Sequence, residues 1–142
     1  MAATTRIART AWEGNLAHGR GTVTFASSGI GDYPVSWAAR AAEPDGMTSP
    51  EELIAAAHSA CFAMALAHGL TQAGTPPRRL ETQAEVTFQP SAGITGIHLM
   101  VIGDVPGLNS ATFTKAAADA KDGCPVSQAL AGTTITLTAS LE

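Results

Sequence analysis

The chain has 142 residues, with 8 basic and 12 acidic side chains and a net charge of −4. This length suits a single domain spanning 1–142, and a hydrophobic content of 45% excludes a disordered chain. The lack of a basic run beyond Arg78-Arg79 argues against nucleic-acid binding and against a membrane anchor. Because charged residues make up only 14%, part of the surface is expected to be buried against another chain.

The location of the protein is predicted from its apolar segments. The first residues lack the apolar stretch of a secretory signal, and polar residues interrupt the longest apolar run, at 53–70. We therefore expect a soluble, cytoplasmic protein. In that compartment its two cysteines would be free thiols, ligands or catalytic groups rather than a permanent disulfide.

The first third of the chain predicts short strands separated by turns. The strand candidates lie at 6–13, 22–25 and 33–41. Glycine-containing turns separate them, at 14–15, 19–21 and 27–32. We expect a small antiparallel meander whose third strand carries Trp37 and Arg40.

The clearest helix start is Thr48-Ser49-Pro50-Glu51-Glu52-Leu53. Ser49 suits the N-cap, Pro50 suits the first helical position, and Glu52 could complete a capping box. The helix is predicted to run from Pro50 to about Leu70. It is apolar nearly all round, which predicts burial on most faces, between sheets or against its copy in a dimer.

The second half of the chain alternates strands and helices. Strands are predicted at 80–88, 94–105 and 133–141, and helices at 111–122 and 125–130. Gly123 is the expected C-cap of the first of these helices. The order β-β-β-α-β-β-α-α-β predicts an α+β fold.

Cys61 and Cys124 are the candidate redox residues. Cys61 lies mid-helix, where a cysteine can also be a small core hydrophobe. Cys124 precedes Pro125 near the start of a new helix, whose dipole would favour a thiolate. Two thiols together form a redox device, although they are so far apart in sequence that only the fold could bring them together.

Histidines offer two further interpretations. His58 is three residues before Cys61 and shares its helix face, so the two could form a nucleophilic pair, or His58 could be a satisfied core residue. A zinc site is excluded because the cysteines and histidines lack the short spacing of a ligand set. The histidines are His18, His58, His68 and His98.

Glu51, Arg20 and Arg40 are candidate charged groups. Glu51 in the first helical turn compensates the dipole, but Glu52 already suits the cap, which leaves Glu51 free to project elsewhere. An arginine beside a thiolate lowers the thiol pKa and steadies a departing oxyanion, whereas most arginines are simply solvated.

The segment from Thr48 to Phe62, with its Pro-Glu and Ala-Cys-Phe, and the distant Gly123-Cys124-Pro125-Val126-Ser127 are similar to the OsmC/Ohr family. The resemblance is closest to the OsmC (osmotically inducible protein C) branch and spans nearly the whole chain. It implies a thiol-dependent peroxidase that reduces organic hydroperoxides, and often hydrogen peroxide, to alcohols and water. It also implies an intertwined homodimer, with antiparallel sheets around long buried central helices and two active sites at the subunit interface.

The resemblance also implies roles for individual residues. Cys61 would be the peroxidatic cysteine, Cys124 the resolving one, and Glu51 the carboxylate that orients an arginine. Arg20 matches the arginine of the Ohr branch, and Arg40 matches that of the OsmC branch, which we favour. No bound cofactor is implied, and the expected partners are a hydroperoxide and an external dithiol reductant such as a lipoylated protein.

Helix geometry constrains this site. Glu51 and Cys61 are ten residues apart, which on one straight helix is a rise of about 15 Å. No glycine or internal proline lies between them, so we expect each active site to combine Glu51 of one subunit with Cys61 of the other. Phe62, Met64 and Trp37 are candidates for the apolar lining.

Three alternative functions explain fewer features of the sequence than the peroxidase does. A non-catalytic, stress-induced ligand-binding dimer would use the apolar helix as a groove. A cysteine hydrolase would pair Cys61 with His58, but the sequence marks no oxyanion hole. A dithiol redox sensor would lack a DNA-binding element.

Overall fold

The computed structural model describes residues 1–142 and contains six strands and four helices. The α+β class is confirmed. The chain divides into two compact units, an N-terminal unit (Met1–Glu52) and a C-terminal unit (Leu53–Glu142). Each unit is described by itself, and the single domain stays a prediction.

The N-terminal unit is built on the predicted meander. Strands β1 (Arg9–Glu13), β2 (Arg20–Thr24) and β3 (Asp32–Val35) pair antiparallel in that order. Gly21 is needed at the centre of this sheet, because a Cβ there would lie 2.9 Å from both the Trp12 ring and the Val35 side chain. The sheet therefore accommodates the Trp12 and Val35 side chains only because position 21 has none.

The predicted third strand is too long. It ends at Val35, and Trp37–Ala41 forms a short helix, α1. The Ser36 hydroxyl caps this helix by accepting a hydrogen bond from the Ala39 backbone N–H at 3.1 Å. This cap, followed by residues of good helix propensity, outweighs the strand pattern, so Trp37 and Arg40 lie on a helix.

Helix α2 (Pro50–Gln72) begins where predicted. The Ser49 hydroxyl accepts from the Glu52 backbone N–H at 3.1 Å, but the Glu52 carboxylate accepts from the Thr48 hydroxyl at 2.7 Å. Only half of the expected capping box is therefore formed. The helix continues past its predicted end and stops before Gly74, whose φ of 87° suits a helix terminus.

The C-terminal unit carries a second sheet. Its strands are β4 (Arg79–Gln89), β5 (Gly93–Asp104) and β6 (Ile135–Leu141), in that spatial order. β4 and β5 are antiparallel, but β5 and β6 are parallel. The expectation of purely antiparallel sheets was wrong here, because α3 (Ser110–Gly123) and α4 (Pro125–Ala129) lie between β5 and β6 and return the chain in the same direction.

One face of this sheet and one stripe of α2 build the core. The buried members of that stripe recur every four residues, and α3 and β5 add further buried side chains. The core includes Phe62, Leu66, Leu70, Leu99, Val101, Phe113 and Ala117. The stripe explains why α2 packs against the sheet at one fixed rotation.

The remainder of α2 is not buried within this chain. Met64 is 72% exposed, so the prediction of burial on most faces is not met by a single chain. By length and apolar composition alone α2 could also cross a membrane, a test that core helices of soluble proteins pass equally. One stripe of α2 packs into the core of the C-terminal unit, and the rest of the helix presents a further apolar face.

Candidate active site

The two thiols meet in the C-terminal unit. Cys61 lies on α2, Cys124 lies at the junction of α3 and α4, and the two thiols are close enough for each to shift the pKa of the other. Both are free thiols; Cys61 is half-buried, and Cys124 has no exposed surface. The fold thus joins two cysteines that the sequence separates, and it leaves only Cys61 open to a reactant.

The pair is electrostatically asymmetric. Burial raises the pKa of the Cys61 thiol, the contact with Cys124 raises it further, and the Val126 backbone N–H offsets only part of this. Burial also opposes ionisation of Cys124, but hydrogen bonds from Cys61, from Ser127 and from the Val126 N–H outweigh it and lower the pKa of Cys124. The start of α4 therefore supplies donors to the buried cysteine, at the helix start where the sequence predicts it.

An apolar cavity of about 770 Å³ borders Cys61 between α2 and α3. Met64 lines it, as predicted, and Lys115 and Asp119 lie at its wall. The other two predicted lining residues are elsewhere: Phe62 is fully buried in the core, and Trp37 belongs to the N-terminal unit. The exposed thiol therefore opens onto a space large enough for a small apolar molecule.

His58 bonds a residue that the sequence analysis missed. Its Nε2 lies 2.7 Å from the Ser127 hydroxyl, both residues are buried, and His58 Nδ1 has no partner. Burial lowers the pKa of His58. Of the two interpretations of His58, the nucleophilic pair with Cys61 has no support, because the imidazole bonds Ser127 on α4 instead. The sequence did contain a signal for Ser127, because it follows Cys124 by three residues, about one helical turn, and so lies on the same helix face.

Arg40 and Glu51 form an ion pair in the N-terminal unit. Arg40 Nε donates to both carboxylate oxygens, at 3.1 and 3.0 Å, and Nη2 lies 2.9 Å from Oε2. Glu51 is only 6% exposed, so the guanidinium stabilises an otherwise costly buried carboxylate. The structure brings these two predicted residues together; their catalytic roles stay predictions.

The alternative arginine lies on the surface. Arg20 is exposed at the start of β2 opposite Glu13, and its side chain forms no ion pair. Glu43 and Asp45, two acidic residues that follow Arg40 in the sequence, are exposed in the loop before α2, whereas the ion pair of Arg40 is with Glu51. Within the N-terminal unit the arginine that Glu51 holds is therefore Arg40 and not Arg20. No group of three or more His, Cys, Asp or Glu side chains is arranged to hold a metal ion.

Comparison with known proteins gives consistent matches. The family model for the OsmC-like protein matches residues 43–139. "Peroxiredoxin OsmC" of Escherichia coli K12 is 43% identical over 122 residues, covering 84% of this chain and 85% of that protein. Among solved structures, the organic hydroperoxide resistance protein OhrB of Bacillus subtilis is 26% identical with a TM-score of 0.67, covering 96% of this chain and 98% of that one. An organic hydroperoxide resistance protein OsmC of Legionella pneumophila has a TM-score of 0.70 at 24% identity, covering 100% and 99%, and supports the fold.

Proposed function

This chain belongs to the OsmC-like protein family, and from that premise we propose that it is a cysteine-based peroxidase that reduces organic hydroperoxides, and hydrogen peroxide, to alcohols or water. The relatives named as peroxiredoxin and as organic hydroperoxide resistance proteins support the reaction class. The observation that carries the proposal is the pair of neighbouring thiols, one of which opens onto an apolar cavity.

The accessibility of the two thiols supports the proposed order in which they react. Cys61 borders the cavity and Cys124 is wholly buried, so a hydroperoxide meets Cys61 first. The Cys61 thiolate attacks the terminal peroxide oxygen, the O–O bond breaks, and the alkoxide takes a proton and leaves as alcohol. The product on Cys61 is a sulfenic acid.

Cys124 completes the cycle. Its thiolate attacks the sulfur of the sulfenic acid, the S–O bond breaks, and hydroxide leaves and takes up a proton to form water. The resulting disulfide is reduced by thiol–disulfide exchange. The proposed reductant is an external cytoplasmic dithiol such as a lipoylated protein, with no bound cofactor.

Cys61 needs a cation to act as a thiolate. Its pKa is raised by burial and by Cys124, so an arginine must lower it again. The proposed cation is the Arg40 guanidinium, which Glu51 holds through three close contacts. The same guanidinium would bond the peroxide oxygens and stabilise the leaving alkoxide.

A homodimer with shared sites is part of the proposal. Helix α2 is unbroken from Pro50 to Gln72, so Glu51 and Cys61 are separated by about 15 Å along its axis. This separation supports a site made of Glu51 from one subunit and Cys61 from the other. The exposed apolar face of α2, with Met64 on it, suits burial against a partner.

The test is stopped-flow consumption of cumene hydroperoxide and hydrogen peroxide with a dithiol present. Wild type, Cys61→Ser and Cys124→Ser are compared with the double variant. We expect Cys61→Ser to lose the oxidation step and Cys124→Ser to retain a single oxidation but to accumulate the sulfenic acid. If wild type consumes neither peroxide faster than the double variant, the enzyme is refuted, and the cavity favours the ligand-binding dimer.

A further inference from the structure

Four neighbouring side chains form a row in the C-terminal unit. His58 Nε2 lies 2.7 Å from the Ser127 hydroxyl, Ser127 follows Cys124 by one helical turn on α4, and the Ser127 and Cys61 side chains both act on the Cys124 thiol. His58 and Cys124 have no exposed surface, and Ser127 is 6% exposed. The peroxidase chemistry uses both thiols but gives no role to the other two members.

The unpartnered atom of His58 sets the direction of these hydrogen bonds. A proton on Nδ1 would be a buried donor with no acceptor, so the favoured tautomer carries its proton on Nε2. Nε2–H then donates to the Ser127 oxygen. The Ser127 hydroxyl has one hydrogen, and because His58 does not accept it, that hydrogen is available to Cys124.

Within this chain, the groups that lower the pKa of Cys124 are the Cys61 side chain on α2 and the Val126 and Ser127 donors on α4. No charged side chain of the same chain is among them. Lys121 and Asp122, which precede Cys124 on α3, pair with each other, and Lys115 and Asp119 line the cavity beside Cys61. Burial is the cause that shifts the pKa of His58, which keeps the imidazole neutral and its tautomer defined. Within this chain, the ionisation of the Cys124 thiol therefore depends on oriented hydrogen-bond donors.

We propose that His58 is a positioning residue for the resolving step: by donating to Ser127 it holds the serine hydroxyl as a donor to Cys124. This inference rests on the proposed function, because a resolving step requires a peroxidase cycle. Ser127 stabilises the Cys124 thiolate that forms the S–S bond as the S–O bond of the Cys61 sulfenic acid breaks. The proton that Cys124 gave up is balanced by the proton that converts the released hydroxide into water.

The test titrates Cys124 without any peroxide. In a Cys61→Ser background only one thiol remains, and its thiolate is followed by ultraviolet absorbance against pH. Ser127→Ala and His58→Leu are each expected to raise the apparent pKa of Cys124 by about one unit. At any fixed pH well below that pKa, this is about a tenfold loss of thiolate. His58→Gln can place an amide donor near the position of Nε2 and is expected to restore most of the loss.

Coupling and kinetics give independent readouts. The double variant His58→Leu/Ser127→Ala should show no larger shift than Ser127→Ala alone, since His58 acts through the hydroxyl. In otherwise wild-type protein, the pH profile of disulfide formation after one oxidation should move to higher pH by the same amount as the titration.

Defined results would overturn the inference. An unchanged pKa of Cys124 in Ser127→Ala would show that the serine hydroxyl does not stabilise the thiolate. If the pKa of Cys124 is raised as much in His58→Gln as in His58→Leu, the role of His58 is packing and not hydrogen bonding. If His58→Leu does not fold, the pKa of Cys124 is compared in Ser127→Ala, which removes only one oxygen atom, and in His58→Gln. The inference then requires a raised pKa in Ser127→Ala and a nearly unchanged pKa in His58→Gln. If the chain consumes no peroxide yet shows these pKa shifts, the proposed function is refuted, while the effect of His58 and Ser127 on the pKa of Cys124 is supported.

Discussion

Removing one partner of the Arg40–Glu51 pair should have very different consequences depending on which partner is removed. Glu51 is 8% exposed in its side chain, and Arg40 is 32% exposed. Arg40→Met leaves a buried carboxylate without its guanidinium. Glu51→Gln leaves an arginine that water can reach, and the amide oxygen still accepts a hydrogen bond from it.

The size of the difference follows from this exposure. Breaking a fully buried pair costs about 3–5 kcal/mol, and partial access of water on the arginine side reduces the cost of Arg40→Met to about 2–3 kcal/mol. Glu51→Gln should cost about 1 kcal/mol, in the range of exposed pairs. The double variant Arg40→Met/Glu51→Leu removes both charges and should be more stable than Arg40→Met alone.

Urea unfolding at one fixed protomer concentration measures these free energies, because a dimer would make stability concentration-dependent. Arg78→Met is the matched control, since its pair with Asp104 is 69% exposed on the arginine side and should cost little. Equal, small losses for Arg40→Met and Glu51→Gln would refute the reasoning and make the pair a solvated surface contact.

Two further predictions concern acid stability and the shared site. Burial lowers the pKa of His58 below its ordinary value of 6.5, so the unfolded chain takes up a proton before the folded one, and the free energy of unfolding should fall as pH drops below 6.5. His58→Gln should lose this slope in urea unfolding and exposed His68→Gln should keep it; the reverse would contradict the assignment. Mixing Glu51→Gln with Cys61→Ser protomers should restore peroxidase activity to about a quarter of wild type, since hybrid dimers would regain one intact site; no recovery above the parents would place both residues in one subunit's site.

The sequence correctly predicted those helices and turns whose position is set by a few neighbouring residues. Ser49 and Pro50 set the start of α2, and the glycine turns set the meander. These features depend on neighbours in sequence, so their physics is visible without the fold. The same locality explains why Cys124 could be placed at a helix start.

One local signal was missed, because the pattern at Trp37–Ala41 fits a strand although the Ser36 cap and the helix propensity of the following residues form a helix there. Features that depend on distant contacts were not predictable in the same way. The parallel pairing of β6 depends on the path of α3 and α4 across the sheet. The bond between His58 and Ser127 joins residues 69 positions apart, so sequence spacing suggested Cys61 as the histidine's partner instead.

The surroundings of the two thiols suit the order of events in the proposed two-step cycle. Burial and Cys124 raise the pKa of the half-buried Cys61, which in that cycle is activated by a cation such as Arg40, whereas donors at the start of α4 offset the burial of Cys124. Oxidation of Cys61 converts its thiol into a sulfenic acid and so removes the thiol donor to Cys124. The donors from Val126 and Ser127 belong to α4 and are unaffected by that change. Cys124 therefore retains stabilising donors for its thiolate at the stage when it must attack, which is why we place its control in α4 and His58 rather than in the substrate cavity.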